Sequence, residues 1–133
     1  MNAERIAIAQ NSLHAAHDGS RSFPAIVGDL IGAGFEGYAV DLRRSCQTFY
    51  GPDGDHVTLD MPVSTGGVAE GFDPAGVEAL VRWAQRHDAD YSYEAFCMKV
   101  KAAGCAGYLV SFLGRRVLYY GRTAETHVEH FPS

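Results

Sequence analysis

Laid on itself at an offset of 70 residues, the chain matches itself without a gap, and this constrains the fold more than any single motif. Residues 3–51 set against 73–121 are identical at Ala9/Ala79, His17/His87, Asp18/Asp88, Ser22/Ser92, Ala25/Ala95, Ala33/Ala103, Gly34/Gly104, Gly37/Gly107, Tyr38/Tyr108, Val40/Val110, Tyr50/Tyr120 and Gly51/Gly121. That is twelve of 49 positions, where an Ala- and Gly-rich chain matches itself by chance at about three or four. Apolar character is also shared at Phe23/Tyr93, Ile26/Phe96, Val27/Cys97, Leu30/Val100, Leu42/Phe112 and Phe49/Tyr119. Two copies of one supersecondary unit, without the further copies of a solenoid, predict a pseudo-symmetric single domain. Its copies are residues 3–61 and 73–131, joined by a Gly/Ser/Thr-containing linker, 62–71. Each copy is too small to be secure alone, so part of the core is expected between them.

Each copy reads as helix, helix, strand, strand, strand. The first helix covers about 3–16, with Ile6, Gln10, Leu13 and His17 on one stripe. Its counterpart opens on Asp73-Pro74, an N-cap followed by proline, carries Val77, Leu80, Val81 and Ala84 at helical spacing, and ends near His87. Ser22 and Ser92 cap the second helices, and Gly34 and Gly104 stop them. Period two then replaces period 3.6: Tyr38, Val40 and Leu42 alternate with Ala39 and Asp41, matching Tyr108, Val110 and Phe112. Turns at 43–45 and 113–115 make hairpins, and turns at 51–55 and 121–124 lead into third strands at 56–61 and 125–131. The fold class is therefore α+β, antiparallel strands with helices packed on one face. Whether the two three-stranded units share one sheet is left open. A groove between the copies is the natural place for a ligand.

Composition narrows the function. With 47% apolar and 20% charged residues the chain is ordinary globular protein. A net charge of -5 gives no overall footprint for nucleic acid or anionic lipid. The first residues show neither the apolar run nor the cleavage site of a signal peptide, so a cytoplasmic location is expected. Cys46, Cys97 and Cys105 are odd in number and lie among apolar neighbours, which suits reduced core thiols. Arg43 and Arg44 beside Cys46 leave a reactive thiolate as the alternative reading there.

The motifs each carry two readings. Gly32-Ala33-Gly34-Phe35-Glu36-Gly37 spells a dinucleotide fingerprint. Its glycines, however, close a helix and open a strand, the reverse of the order that presents a helix N-terminus to a phosphate. The C-terminal run holds Glu125, His127 and Glu129 on one face of a strand and His130 on the other. Such a set can bind a divalent metal or supply a general base oriented by a carboxylate. The alternative is a charged solvent face guarding an edge strand, and no metal is expected. Arg115, Arg116 and Arg122, with Arg43 and Arg44, form basic turns on an acidic protein. They can hold a carboxylate or phosphate bidentately, or pair with local carboxylates. Phe49-Tyr50 and Tyr119-Tyr120 put one ring on each face of their strands, so one ring per copy lies outside the simple core. His17-Asp18 and His87-Asp88 suit the dipole at helix ends.

Several stretches carry a family likeness: Ser22-Phe23-Pro24, Ala33-Gly34, Tyr38 to Asp41, Tyr50-Gly51, Asp53-Gly54, Phe72-Asp73, residues 103–108 and the ending 121–132. On these the chain resembles, over nearly its whole length, a bacterial and prophage-borne family of unknown function, the YbcV-like proteins often labelled phage envelope protein-like. The resemblance carries over no catalytic residue, and no cofactor is expected.

Two function classes follow. The favoured one is a binding module for a small anionic ligand or a protein partner, with Arg115, Arg116, Arg122, Tyr119 and Tyr120 as contacts. The alternative is a metal-assisted or acid–base hydrolytic enzyme on Glu125, His127 and Glu129. A phage-related structural role rests on the family label alone.

Overall fold

Helix capping sets the outline of the computed structural model, which describes residues 1–132. Helix α1 (Ala3–Asp18) begins where the Asn2 side chain accepts from the Arg5 amide. It runs two residues past the expected end, because Gly19 supplies a left-handed cap at φ 73°. Ser22 and Ser92 cap α2 (Phe23–Gly32) and α4 (Tyr93–Ala102), each accepting from the amide three residues on. Asp73 caps α3 (Pro74–Arg86) in the same way. The strands are β1 (Gly37–Asp41), β2 (Cys46–Tyr50), β3 (His56–Asp60), β4 (Cys105–Ser111), β5 (Arg116–Gly121) and β6 (Thr126–His130). The order helix, helix, strand, strand, strand thus occurs twice.

Among the described residues six strands join one antiparallel sheet, in the order β3-β2-β1-β4-β5-β6. The offset of 70 carries the β1–β4 pair Gly37↔Ser111 onto Gly107↔Asp41, and Ala39↔Leu109 onto itself. It also carries Tyr38↔Phe49 onto Tyr108↔Tyr119 and Gln47↔Leu59 onto Val117↔Glu129. The two halves are therefore related in register by a two-fold axis between β1 and β4, and the open question of one sheet or two is answered.

Helices α1 to α4 cover one face. From the sheet, Tyr38, Val40, Phe49, Tyr108, Val110, Val117 and Tyr119 pack against Leu13, Ile26, Val27, Leu30, Val77, Val81, Phe96 and Val100 of the helices in one continuous core. Burying a side chain such as Leu30 or Phe49 contributes about 1.5–3 kcal/mol. The halves interlock through helix α1 against α4, with the His17 ring 4.7 Å from Tyr93, whose hydroxyl is hydrogen-bonded within the second half to that of Tyr108. Among the described residues no helix is long and apolar enough to cross a membrane.

Packing so many phenols and thiols has a consequence at high pH. Burial pushes the hydroxyls of Tyr38, Tyr93, Tyr108 and Tyr119 well above the ordinary range and Tyr91 up to about 12. The thiols of Cys97 and Cys105 rise to about 11. A group whose pKa is raised by folding holds its proton more tightly in the native state, so its stabilisation is complete below its unfolded value and lost as pH rises through the folded one. Melting temperature is expected to hold steady to about pH 8.5 and to fall steeply from there to pH 11. Phenolate absorbance of the folded protein checks this, since ordinary titration of these tyrosines near pH 10 would contradict it.

The segment 62–71 is more than a spacer. The Ala69 amide donates to the Lys101 carbonyl at 3.0 Å, and just past the segment the Asp73 amide donates to the Ala103 carbonyl at 2.9 Å, so the segment is held against the end of α4.

Candidate functional site

Lys101 sits in the last turn of α4, where its charge offsets the carbonyl end of the helix. Only 3% of the residue is exposed. Its ammonium donates to the carbonyl oxygens of Ser64 at 2.9 Å and Gly66 at 2.7 Å. No ion pair forms at Lys101 among the described residues. A buried ammonium ordinarily has a carboxylate beside it, because taking a charge out of water is costly. Here two neutral carbonyls take that place, and the cation keeps a third proton.

Beside it lies a cavity of about 240 Å³. Leu42, Arg43 and Ser45 of the β1–β2 turn form one wall, Val63, Ser64, Gly66, Gly67 and Val68 another, and Lys101 the third. The site therefore joins the first half, the linker and the second half. Arg122, in the β5–β6 turn, donates to the Val68 carbonyl at 3.2 Å and adds a cation behind the loop. The Arg43 and Arg44 amides both cap the Asp41 carboxylate at 3.0 Å, which fixes the turn on which the Arg43 side chain stands. A volume of this size accommodates a small anion better than a drug-sized ligand. A second cavity, about 190 Å³, lies between α1 and β3 and is lined by Gln10, Leu13, His14, Leu59 and Asp60.

The residues singled out from sequence are dispersed. Arg115 donates to the Pro132 carbonyl at 2.9 Å and lies over the Phe131 ring. Arg116 turns back to the Gly114 carbonyl at 3.0 Å. Both stand at the β4–β5 turn, at the opposite end of the sheet from Arg43 and Arg122, because the two-fold relation places equivalent turns at opposite ends. Tyr119 is buried under the helices, and Tyr120 faces the uncovered side of the sheet near Asp41 and Arg43, its phenol pushed up by burial and by the Asp41 charge. Of the predicted contacts, Arg122 alone touches the walls of the cavity.

The C-terminal cluster also differs from expectation. Glu125 precedes β6, and its carboxylate accepts from the Thr123 hydroxyl at 2.7 Å, away from its supposed partners. His127 and Glu129 do meet, Nε2 to Oε1 at 3.0 Å. Both are mostly covered rather than solvent-facing edge guards, 19% and 12% exposed, since their face lies under α3, where Arg82 pairs with Glu129 at 3.1 Å. Glu129 thus pins the helix to the edge strand. Among the described residues no group of three His, Cys, Asp or Glu side chains is placed to hold a metal ion. All three cysteines are free and buried, including Cys46.

Lys101 is the residue that sequence reasoning missed. At the offset of 70 it stands opposite Ile31, so the signal was a basic residue where the other half has an apolar one. No protein-family model and no curated protein matches the chain.

Proposed function

We propose that this protein, within the YbcV-like family its sequence resembles, is a binding module for a small anion bearing a phosphate or carboxylate group, held between the linker and the β1–β2 turn. One observation carries the reading: Lys101 is 3% exposed, lines a cavity and has no carboxylate partner among the described residues. An anion there supplies the missing counter-charge, with Arg43 and Arg122 reinforcing it from either side. The Gly66-Gly67 backbone allows close approach to such a group.

Thermal melts test this with inorganic phosphate, with a dicarboxylate such as succinate, and with sodium chloride at equal ionic strength. A ligand at a hundred times its Kd stabilises by about 2.7 kcal/mol, several degrees for a domain of this size. Phosphate or succinate is expected to raise the midpoint, and the better of the two names the ligand chemistry. Arg43→Ala with Arg122→Ala should keep the basal midpoint and lose the rise, while Arg115→Ala with Arg116→Ala should change neither. A rise equalled by sodium chloride, or lost only in the Arg115/Arg116 pair, rejects the site.

The enzyme reading keeps one supporting contact, the His127–Glu129 pair, an imidazole oriented by a carboxylate. Neither of the two cavities includes it.

A further inference from the structure

The uncovered face of the sheet holds a continuous cross-strand row: Thr58, Thr48, Ala39, Leu109, Leu118 and Val128, each the register partner of the next. Leu109 is 45% and Val128 36% exposed, on a face that an antiparallel sheet open to water ordinarily lines with polar side chains. The rows on either side differ in charge. One carries His56, Arg116 and His130; the other carries Asp41 and Asp60.

We infer that this face docks a second copy of the chain, the two sheets stacked about a two-fold axis that runs along the middle row. That axis lays each middle-row residue over its own counterpart, so Leu109 and Leu118 meet Leu109 and Leu118. It also exchanges the outer rows, setting His56 over Asp60 of the second copy, Arg116 over the Tyr120 ring and the bulky Tyr50 over the small Cys46. The other in-plane axis, parallel to the strands, sets Thr48 and Thr58 against Leu118 and Val128 and leaves both aspartates without a basic partner, where the first leaves only Asp41, which it sets over Gly37. Charge and apolar matching therefore select the first. At ~4.8 Å between strands and ~3.3 Å per residue, two stacked faces remove on the order of 1,000 Å² before side-chain relief is counted. That lies near the lower limit for specific association, so the dimer is a weak one.

Sedimentation equilibrium from about 10 μM to about 1 mM spans the range expected of such an interface. The mean mass is expected to climb from one chain toward two. Leu109→Asp should hold the mass at one chain throughout, with unchanged circular dichroism and melting, because the side chain is already half exposed. The native thiols are buried, so in Leu118→Cys a short bis-maleimide should join residue 118 of one copy to residue 118 of the other. A single-chain mass at the highest concentration, or a dimer that survives Leu109→Asp, overturns the proposal. A dimer that forms without the 118–118 cross-link overturns the axis.

Discussion

Gly104→Ala is expected to cost about 4 kcal/mol or more, whereas Gly34→Ala, at the offset-equivalent position, should cost about 1–2 kcal/mol. Both glycines have left-handed backbone, φ +91° at Gly104 and +92° at Gly34, so any L side chain adds strain at either. The surroundings separate them. A Cβ at Gly104 would overlap the carbonyl oxygen of Gly71 and lie 2.8 Å from the Phe72 Cα, and neither backbone atom can swing aside. A Cβ at Gly34 would meet the Arg5 Nη2 at 2.8 Å, the far end of a flexible side chain. Urea unfolding of the two variants gives the comparison directly. Equal losses would mean that the linker is not pressed against the end of α4.

Lys101→Glu is the second large effect. It aims a buried carboxylate at two carbonyl oxygens that now accept from the ammonium, and an uncompensated charge of this kind costs about 3–5 kcal/mol. Lys101→Met serves as its control. It forfeits two charge-assisted hydrogen bonds, but it also removes the cost of burying an ammonium without a counter-ion, and the freed Gly66 carbonyl lies on an exposed stretch that water can reach. These opposing terms leave a net change within about 1 kcal/mol. Chemical denaturation should therefore rank the variants Glu far below Met, with Met close to wild type. Tolerance of Glu would show that Lys101 is free to leave the interior. A large loss in Met would assign it to holding the fold rather than to meeting an anion.

The sequence was most informative where local chemistry decides. Ser22, Ser92 and Asp73 had only to satisfy amides three residues away, so helix starts were legible. The alternation after Gly34 and Gly104 named the central strands for a similar reason. What the offset could not reveal was the β1–β4 pairing, which joins residues about 70 apart and sends equivalent turns to opposite ends of one sheet. That geometry separated Arg115 and Arg116 from Arg43 and Arg122. The C-terminal cluster failed on a different point. Strand periodicity correctly set His127 and Glu129 on one face, yet only tertiary packing of α3 determines that this face is covered. Lys101 escaped because a lysine in the last turn of a helix reads as a dipole partner on the surface, and its burial depends on a linker that composition alone marks as loose.

The anion site is tested most directly by following backbone amide resonances of the folded protein as inorganic phosphate is added at constant ionic strength. The Gly66, Gly67 and Arg43 amides should shift along one saturable curve in the wild type, and the same resonances should stay still in Lys101→Met. Shifts that grow linearly without saturation, or that centre on Arg115 and Arg116, would contradict an anion held at Lys101.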